Sequence, residues 1–125
     1  MTDSHVTLTI DARGVATVTL DRPDKHNAFD DEVICALKDR FVELAADRTV
    51  RVVILASTGK SFSAGADLNW MRRMAEYDFG HNMRDAEQLA AMLKALADLP
   101  QPTIARVQGA AYGGAVGLVS CCDMA

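Results

Sequence analysis

The sequence predicts an α/β domain whose strands pair largely in parallel, and three observations carry that prediction. Runs with the two-residue period of a strand alternate with runs at helical spacing, beginning with two strands and then strand and helix in turn. Within VRVVILAS the apolar residues Val52, Val53, Ile54 and Leu55 run unbroken, as in a strand covered on both faces. At 125 residues, 50% hydrophobic and 24% charged, the chain matches one ordinary domain.

VTLTID and VATVTLD alternate apolar and polar residues around Ala12-Arg13-Gly14, two strands joined by a tight turn in which glycine supplies the backbone freedom. RPDKHNAF is a loop, because its proline cannot continue the strand. Val33, Leu37, Phe41 and Leu44 recur at helical spacing between about Asp30 and Asp47, with Asp30 and Asp31 at the positive end of the dipole. The strand VRVVILAS follows. Leu68 to Met74 reads as a short helix, and Asn82 to Asp98 as a longer one with Leu89, Leu93 and Leu96 on one face, closed by Pro100 and Pro102. TIARVQG is the next strand, and AAYGGAVGLVSCCDMA reads as another buried helix opened by glycines. The chain stops at Met124-Ala125 inside an apolar segment, so residues 1–125 are expected to be the N-terminal portion of a single domain.

Net charge is −4 without a basic run, which argues against nucleic acid, whose phosphates require clustered Lys and Arg. No apolar run approaches a membrane span, and MTDSHVTLTID lacks a basic-then-apolar leader. No membrane partner is expected. Cys35, Cys121 and Cys122 show no C-x-x-C spacing and read as small buried hydrophobes in a reducing compartment, with the cytoplasm as expected location.

The stretch Ser57 to Leu68, STGKSFSAGADL, holds two competing signals. GKS resembles the end of a phosphate-binding loop, but that loop needs a glycine five positions before Gly59, where Ile54 stands in a strand. Lys60 therefore reads as a solvated loop residue. No serine has the flanking glycines of a nucleophile elbow, and His5, His26 and His81 lack metal-ligand spacing, so no metal is expected.

SAGAD is the other signal. VVILAS…SFSAGADL and TIARVQGAAYGGAVGL share one design: a strand, then glycine among small residues, then an apolar helix start. Such turns expose backbone N–H groups at a sheet end, and a helix N-terminus adds unpaired donors. Singly, each turn is accounted for as a tight strand-to-helix connection. Together they allow one N–H from each to grip a single oxygen, an oxyanion hole for a carbonyl that gains charge.

VATVTLDRPDKHNAF, RVVILASTGKSFSAGADL and LPQPTIARVQGAAYGGAVGLVSCCDMA, in this order and spacing, resemble the enoyl-CoA hydratase/isomerase (crotonase) superfamily along the whole chain. The resemblance implies the N-terminal part of a crotonase-like ββα spiral, assembly as a homotrimer or dimer of trimers, and an acyl-CoA thioester as substrate. Coenzyme A is then part of the substrate, and no separate cofactor is implied. Matched by position, the oxyanion donors fall on Ala66 and Gly114. Lys25 and His26 fall on the loop along the coenzyme A moiety, and Ala64, Asp67 and Leu68 near its adenine and pantetheine arm. Asp67 also reads as a cap of the following helix.

One position departs from the pattern. Where hydratases of the family place the first of two glutamates, this chain has Gly117, and Glu32, Glu43, Glu76 and Glu87 match no catalytic position. FSAGADLNWM with QGAAYGGAVGLVSCCDMA looks most like the methylglutaconyl-CoA and isoprenoid-glutaconyl-CoA hydratases. The expected function is a lyase that reversibly hydrates a 2-enoyl-CoA. The alternatives are an enoyl-CoA isomerase of the same superfamily and a non-catalytic acyl-CoA-binding module.

Overall fold

A computed structural model describes residues 5–125 of the chain. One four-stranded sheet runs β1 (Val6–Ile10), β2 (Val15–Leu20), β3 (Val52–Ser57) and β4 (Thr103–Ala105), in that spatial order. β1 and β2 form an antiparallel hairpin with Val6 opposite Leu20 and Ile10 opposite Ala16. β2–β3 and β3–β4 are parallel, so the sheet is mixed, with two of its three pairings as the alternation predicts. The hairpin turn closes on Asp11, whose carboxylate accepts the Arg13 and Val15 amides at 2.8 and 3.1 Å. Gly14 completes it at φ +85, pressed so close to Thr49 that a Cβ would lie 2.5 Å from the Thr49 carbonyl oxygen.

α1 (Asp31–Ala45) is capped by Asp30, which accepts the Val33 amide at 3.0 Å, and buries Val33, Ile34, Leu37, Phe41 and Leu44. These meet the inward residues of β2, Ala16, Val18 and Leu20, in the main core. α2 (Leu68–Met74) brings Trp70 to the same core. α3 begins at Phe79 rather than Asn82 and ends at Ala97, because Asp78 accepts the His81 amide at 2.7 Å and caps the helix a turn earlier than its apolar spacing suggests. On its inner face Met92 and Leu96 are buried and Leu89 and Leu93 partly so.

The last third of the chain is less regular than its apolar sequence predicts. β4 stops at Ala105, although the Arg106 amide still donates to the Leu55 carbonyl at 2.8 Å. α4 spans only Gly114–Ser120, with Ala115 and Leu118 buried and Val116 exposed. Beyond it Ile104 and Met124 pair in parallel, the Ala105 amide donating to the Met124 carbonyl at 2.8 Å. Asp123 anchors that return by accepting the Thr103 amide at 2.9 Å. A helix continued through Cys121 would forgo these sheet bonds. Among the described residues no helix is long and apolar enough to cross a membrane, and no cluster of metal-binding side chains occurs.

The cysteines correct the sequence reading. Cys35 is exposed on α1, and Cys121 and Cys122 are only half-buried. Its half-buried setting still pushes the Cys122 thiol up from 9.0 to about 11. Because the folded state favours the neutral thiol, this contribution is complete below pH 9.0 and is lost as pH rises toward about 11. Urea denaturation between pH 8 and pH 11, as about three evenly spaced points, should show a smaller loss of stability for Cys122→Ala than for the parent chain.

Candidate active site

Three segments meet at the carboxyl end of the parallel strands, where open α/β sheets bind ligands. After β2 the chain turns through a short 3-10 segment, Pro23–Lys25, into His26 and Asn27, both left-handed at φ 51 and 55. Asn27 is buried and anchors this unusual backbone. Its side chain accepts the Arg22 amide at 2.7 Å and donates to the Thr58 and Ser61 carbonyls at 2.6 and 3.0 Å. Asparagine tolerates this conformation better than most residues.

The second segment follows β3. The Ala64 amide donates to the His26 carbonyl at 2.9 Å, and Phe29 and Ala66 pair in parallel, with the Phe29 amide on the Gly65 carbonyl and the Asp67 amide on the Phe29 carbonyl. Ser63, buried, donates its hydroxyl to the Asn27 carbonyl and accepts the Gly65 amide. The GKS portion is strapped rather than free: the Gln108 side-chain amide donates to the Gly59 and Ser61 carbonyls, and Lys60 lies exposed. Ile54 sits within β3, so no phosphate-binding loop forms.

The third segment, Arg106 to Gly114, lies against the second. Ser63 and Ala111 pair in parallel, with the Phe62 and Ser63 amides on the Ala110 carbonyl and the Tyr112 amide on the Ser63 carbonyl. The contact is so close that a Cβ at Gly109 would sit 1.9 Å from the Lys60 carbonyl oxygen. At Gly65, φ +90, a Cβ would sit 2.7 Å from the Tyr112 carbonyl oxygen and 3.3 Å from the Gly114 nitrogen. The two glycine turns therefore converge. Among the described residues neither the Ala66 nor the Gly114 amide donates a hydrogen bond, whereas those of Gly65, Asp67 and Ala115 do. Gly114 is the first residue of α4, so its free N–H also sits at a helix start.

Beside this point opens a cleft of about 500 Å³ whose lining includes Lys25, His26, Ala64, Ala66, Asp67 and Leu68. Arg72 and Asp24 share the lining and carried no sequence signal. Gly114 lies outside it, on the Tyr112 side of Gly65. Leu68 leaves 68% of its surface exposed there, an apolar contact for a ligand, while His26 Nδ1 lies 3.2 Å from the Ser61 hydroxyl. Asp67 is a helix cap: its Oδ1 accepts the Trp70 amide at 3.0 Å and its Oδ2 faces Arg22 at 3.3 Å. Phe29 and Asn27 escaped the sequence reading. The Phe29 ring packs beneath Gly114, 2.8 Å from where a Cβ would stand. Gly117 is roomier, its nearest neighbour being the Leu93 side chain at 3.7 Å from a Cβ.

The pattern of the family described as Enoyl-CoA hydratase/isomerase matches residues 11–125. The chain belongs to that family and has its crotonase-like α/β fold. An enoyl-CoA hydratase from Shewanella pealeana is 45% identical with a TM-score of 0.92, the match covering 95% of this chain and 44% of that one. The mitochondrial enoyl-CoA hydratase domain-containing protein 2 of Bos taurus is 34% identical over 113 residues, 90% of this chain and 37% of its own length. The 4-chlorobenzoyl coenzyme A dehalogenase-1 of an Arthrobacter species is 33% identical over 113 residues, 90% of this chain and 41% of its own. The chain thus spans under half the length of each of these three.

Two glycines should respond oppositely to alanine. Gly109→Ala drives a methyl into the Lys60 carbonyl and should cost about 3 kcal/mol. Gly117→Ala, in α4 with ordinary contact distances, should add about 0.5–1 kcal/mol. Equilibrium denaturation of the two variants checks both signs.

Proposed function

We propose that residues 1–125 supply the carbonyl-binding part of an enzyme that reversibly hydrates a 2-enoyl-CoA thioester. The observation that carries this reading is the contact of the two glycine turns at Gly65, where among the described residues the Ala66 and Gly114 amides on either turn have no acceptor. A thioester oxygen accepting from both would be held by dipoles already in place. As water adds at the β-carbon, the enolate oxygen gains charge and both bonds strengthen, which lowers the barrier rather than merely tightening binding. The proton that comes off water, and the one delivered to the α-carbon, are assigned to a carboxylate outside this chain, consistent with relatives of more than twice its length. Lys25 and His26 would border the coenzyme A moiety, Lys25 as a phosphate partner, with Ala64, Asp67 and Leu68 flanking its adenine and pantetheine arm. Assembly as a trimer or pair of trimers and a cytoplasmic location complete the reading.

The acyl group proposed is branched or carboxylated, of the glutaconyl type. Gly117 is the position put forward for this group, because it carries no side chain of its own and a Cβ there would meet the Leu93 side chain at no closer than 3.7 Å. A second reading rests on the same position. Without a carboxylate at Gly117 to hold water, a double-bond isomerase is served by the same two amides. Turnover in H2(18)O separates them, since only hydration puts solvent oxygen into the product.

Gly114 permits a test of one donor. As the first residue of α4 it accepts proline without breaking the helix, and Gly114→Pro removes its N–H. Gly114→Ala meets the same Phe29 ring but keeps the N–H. Relative to the alanine variant, the proline variant should lose a further factor of about 100–1000 in kcat for a 2-enoyl-CoA. Equal rates for the two would remove Gly114 from the proposed mechanism. Gly117→Glu should lower kcat/KM for a branched or carboxylated enoyl-CoA by about 10-fold or more relative to a short linear one, the effect of a filled pocket. Unchanged selectivity would refute the assignment of acyl volume to this position.

A further inference from the structure

The proposed chemistry gives no role to Arg22 or Asp30, and their partner Asp67 enters it only as a neighbour of the coenzyme A arm. Arg22 ends the hairpin side of the fold, with 16% of its side chain exposed. A single nitrogen, Nη1, reaches three oxygens on two segments: the Ala28 carbonyl at 3.2 Å and Asp30 Oδ2 at 3.7 Å in the loop before α1, and Asp67 Oδ2 at 3.3 Å in the loop before α2. The two carboxylates divide their oxygens in the same way. Each gives Oδ1 to a helix start, Asp30 to the Val33 amide and Asp67 to the Trp70 amide, and turns Oδ2 toward Arg22. One cation thereby ties together the N-caps of α1 and α2, and the second cap immediately follows Ala66.

We infer that Arg22 is a positioning residue that fixes the aim of the Ala66 amide, an inference that rests on the hydratase reading given above. The Ala66 N–H belongs to the Gly65–Ala66 peptide, whose carbonyl accepts the Phe29 amide. That amide shares a peptide with the Ala28 carbonyl bonded by Arg22, and on the other side Asp67 is held by Trp70 and Arg22. Without Arg22, two largely buried carboxylates, 17% and 8% exposed, would share a site with no opposing charge. The unpaired charges would cost stability, and with the tie between the two caps gone the turn carrying Ala66 would no longer be held in place. A donor displaced by an ångström loses its advantage in the transition state while substrate binding along the cleft persists. The signature is a loss in kcat rather than a rise in KM.

A mutant cycle in the protein as its host makes it tests this, with Arg22→Met, Asp67→Asn, the double variant and Arg22→Lys. Asparagine caps a helix about as well as aspartate, so Asp67→Asn removes the charge and not the cap. Each single variant and the double variant should lose about 100-fold in kcat for a 2-enoyl-CoA with KM within about threefold, because each breaks the same tie. The double variant, free of the unpaired carboxylate, should melt above Arg22→Met yet remain as slow. Arg22→Lys should recover most of the rate, since one nitrogen makes all three contacts. Amide hydrogen exchange across residues 63–68 should quicken in Arg22→Met. Recovery of kcat together with melting temperature in the double variant would overturn the inference, and so would an Arg22→Met protein with unaltered kcat. If the parent protein hydrates no enoyl-CoA, the functional reading fails on its own, and exchange across 63–68 decides the positioning role. Unchanged exchange in Arg22→Met would then overturn it.

Discussion

Where Gly109 passes the Lys60 carbonyl, and Gly65 faces Tyr112 and the Gly114 nitrogen, two backbone segments touch with no room for a side chain between them. The closeness is held by parallel pairing of Ser63 with Ala111 and by the Gln108 side chain, which bonds two carbonyls of the neighbouring loop. Any Cβ at Gly109 or Gly65 would force the segments apart, and with them the start of α4. The site's geometry is therefore a consequence of backbone contact, and the sheet beneath serves to deliver both segments to one edge.

The loop before α1 is the third wall of the same construction. Its two left-handed residues place Asn27 inward, where three hydrogen bonds link the end of β2 to the loop after β3. Phe29 then pairs with Ala66 and puts its ring under Gly114, so one short loop contacts both glycine turns. Buried polar groups that are fully bonded, as Asn27 is, resist displacement because each broken bond leaves an unsatisfied group. Among the described residues the amides of Ala66 and Gly114 have no acceptor in this setting. Two such donors on turns in backbone contact are the feature that an anionic oxygen would use.

Much of this was legible in the chain itself. The period-two runs located β1 and β2, the unbroken run Val52 to Leu55 located β3, and the spacing Val33, Leu37, Phe41, Leu44 gave the buried face of α1. SAGADL and YGGA located the two turns because glycine among small residues marks backbone that must approach something closely. The early start of α3 was missed because the Asp78 cap precedes the apolar spacing by a turn. The last helix was drawn too long because its apolar residues answer equally to helix and sheet, and the Met124 pairing with Ile104 is a long-range choice no local pattern records. Cys35 was expected inside on residue type alone, yet it falls on the outer face of α1. Arg22, Asn27 and Phe29 were invisible for a related reason: their roles depend on partners some forty residues or more away in some cases, as with Arg22 and Asp67.

The central claim, that the Ala66 and Gly114 amides polarise one thioester carbonyl, is tested most directly by the carbonyl stretch of a bound, carbonyl-13C-labelled acyl-CoA. Two donors aimed at the oxygen predict a shift to lower frequency on binding, and a smaller shift when Gly114→Pro removes one of them. A bound thioester whose carbonyl vibrates as it does in water, in the parent chain and the variant alike, would contradict the account.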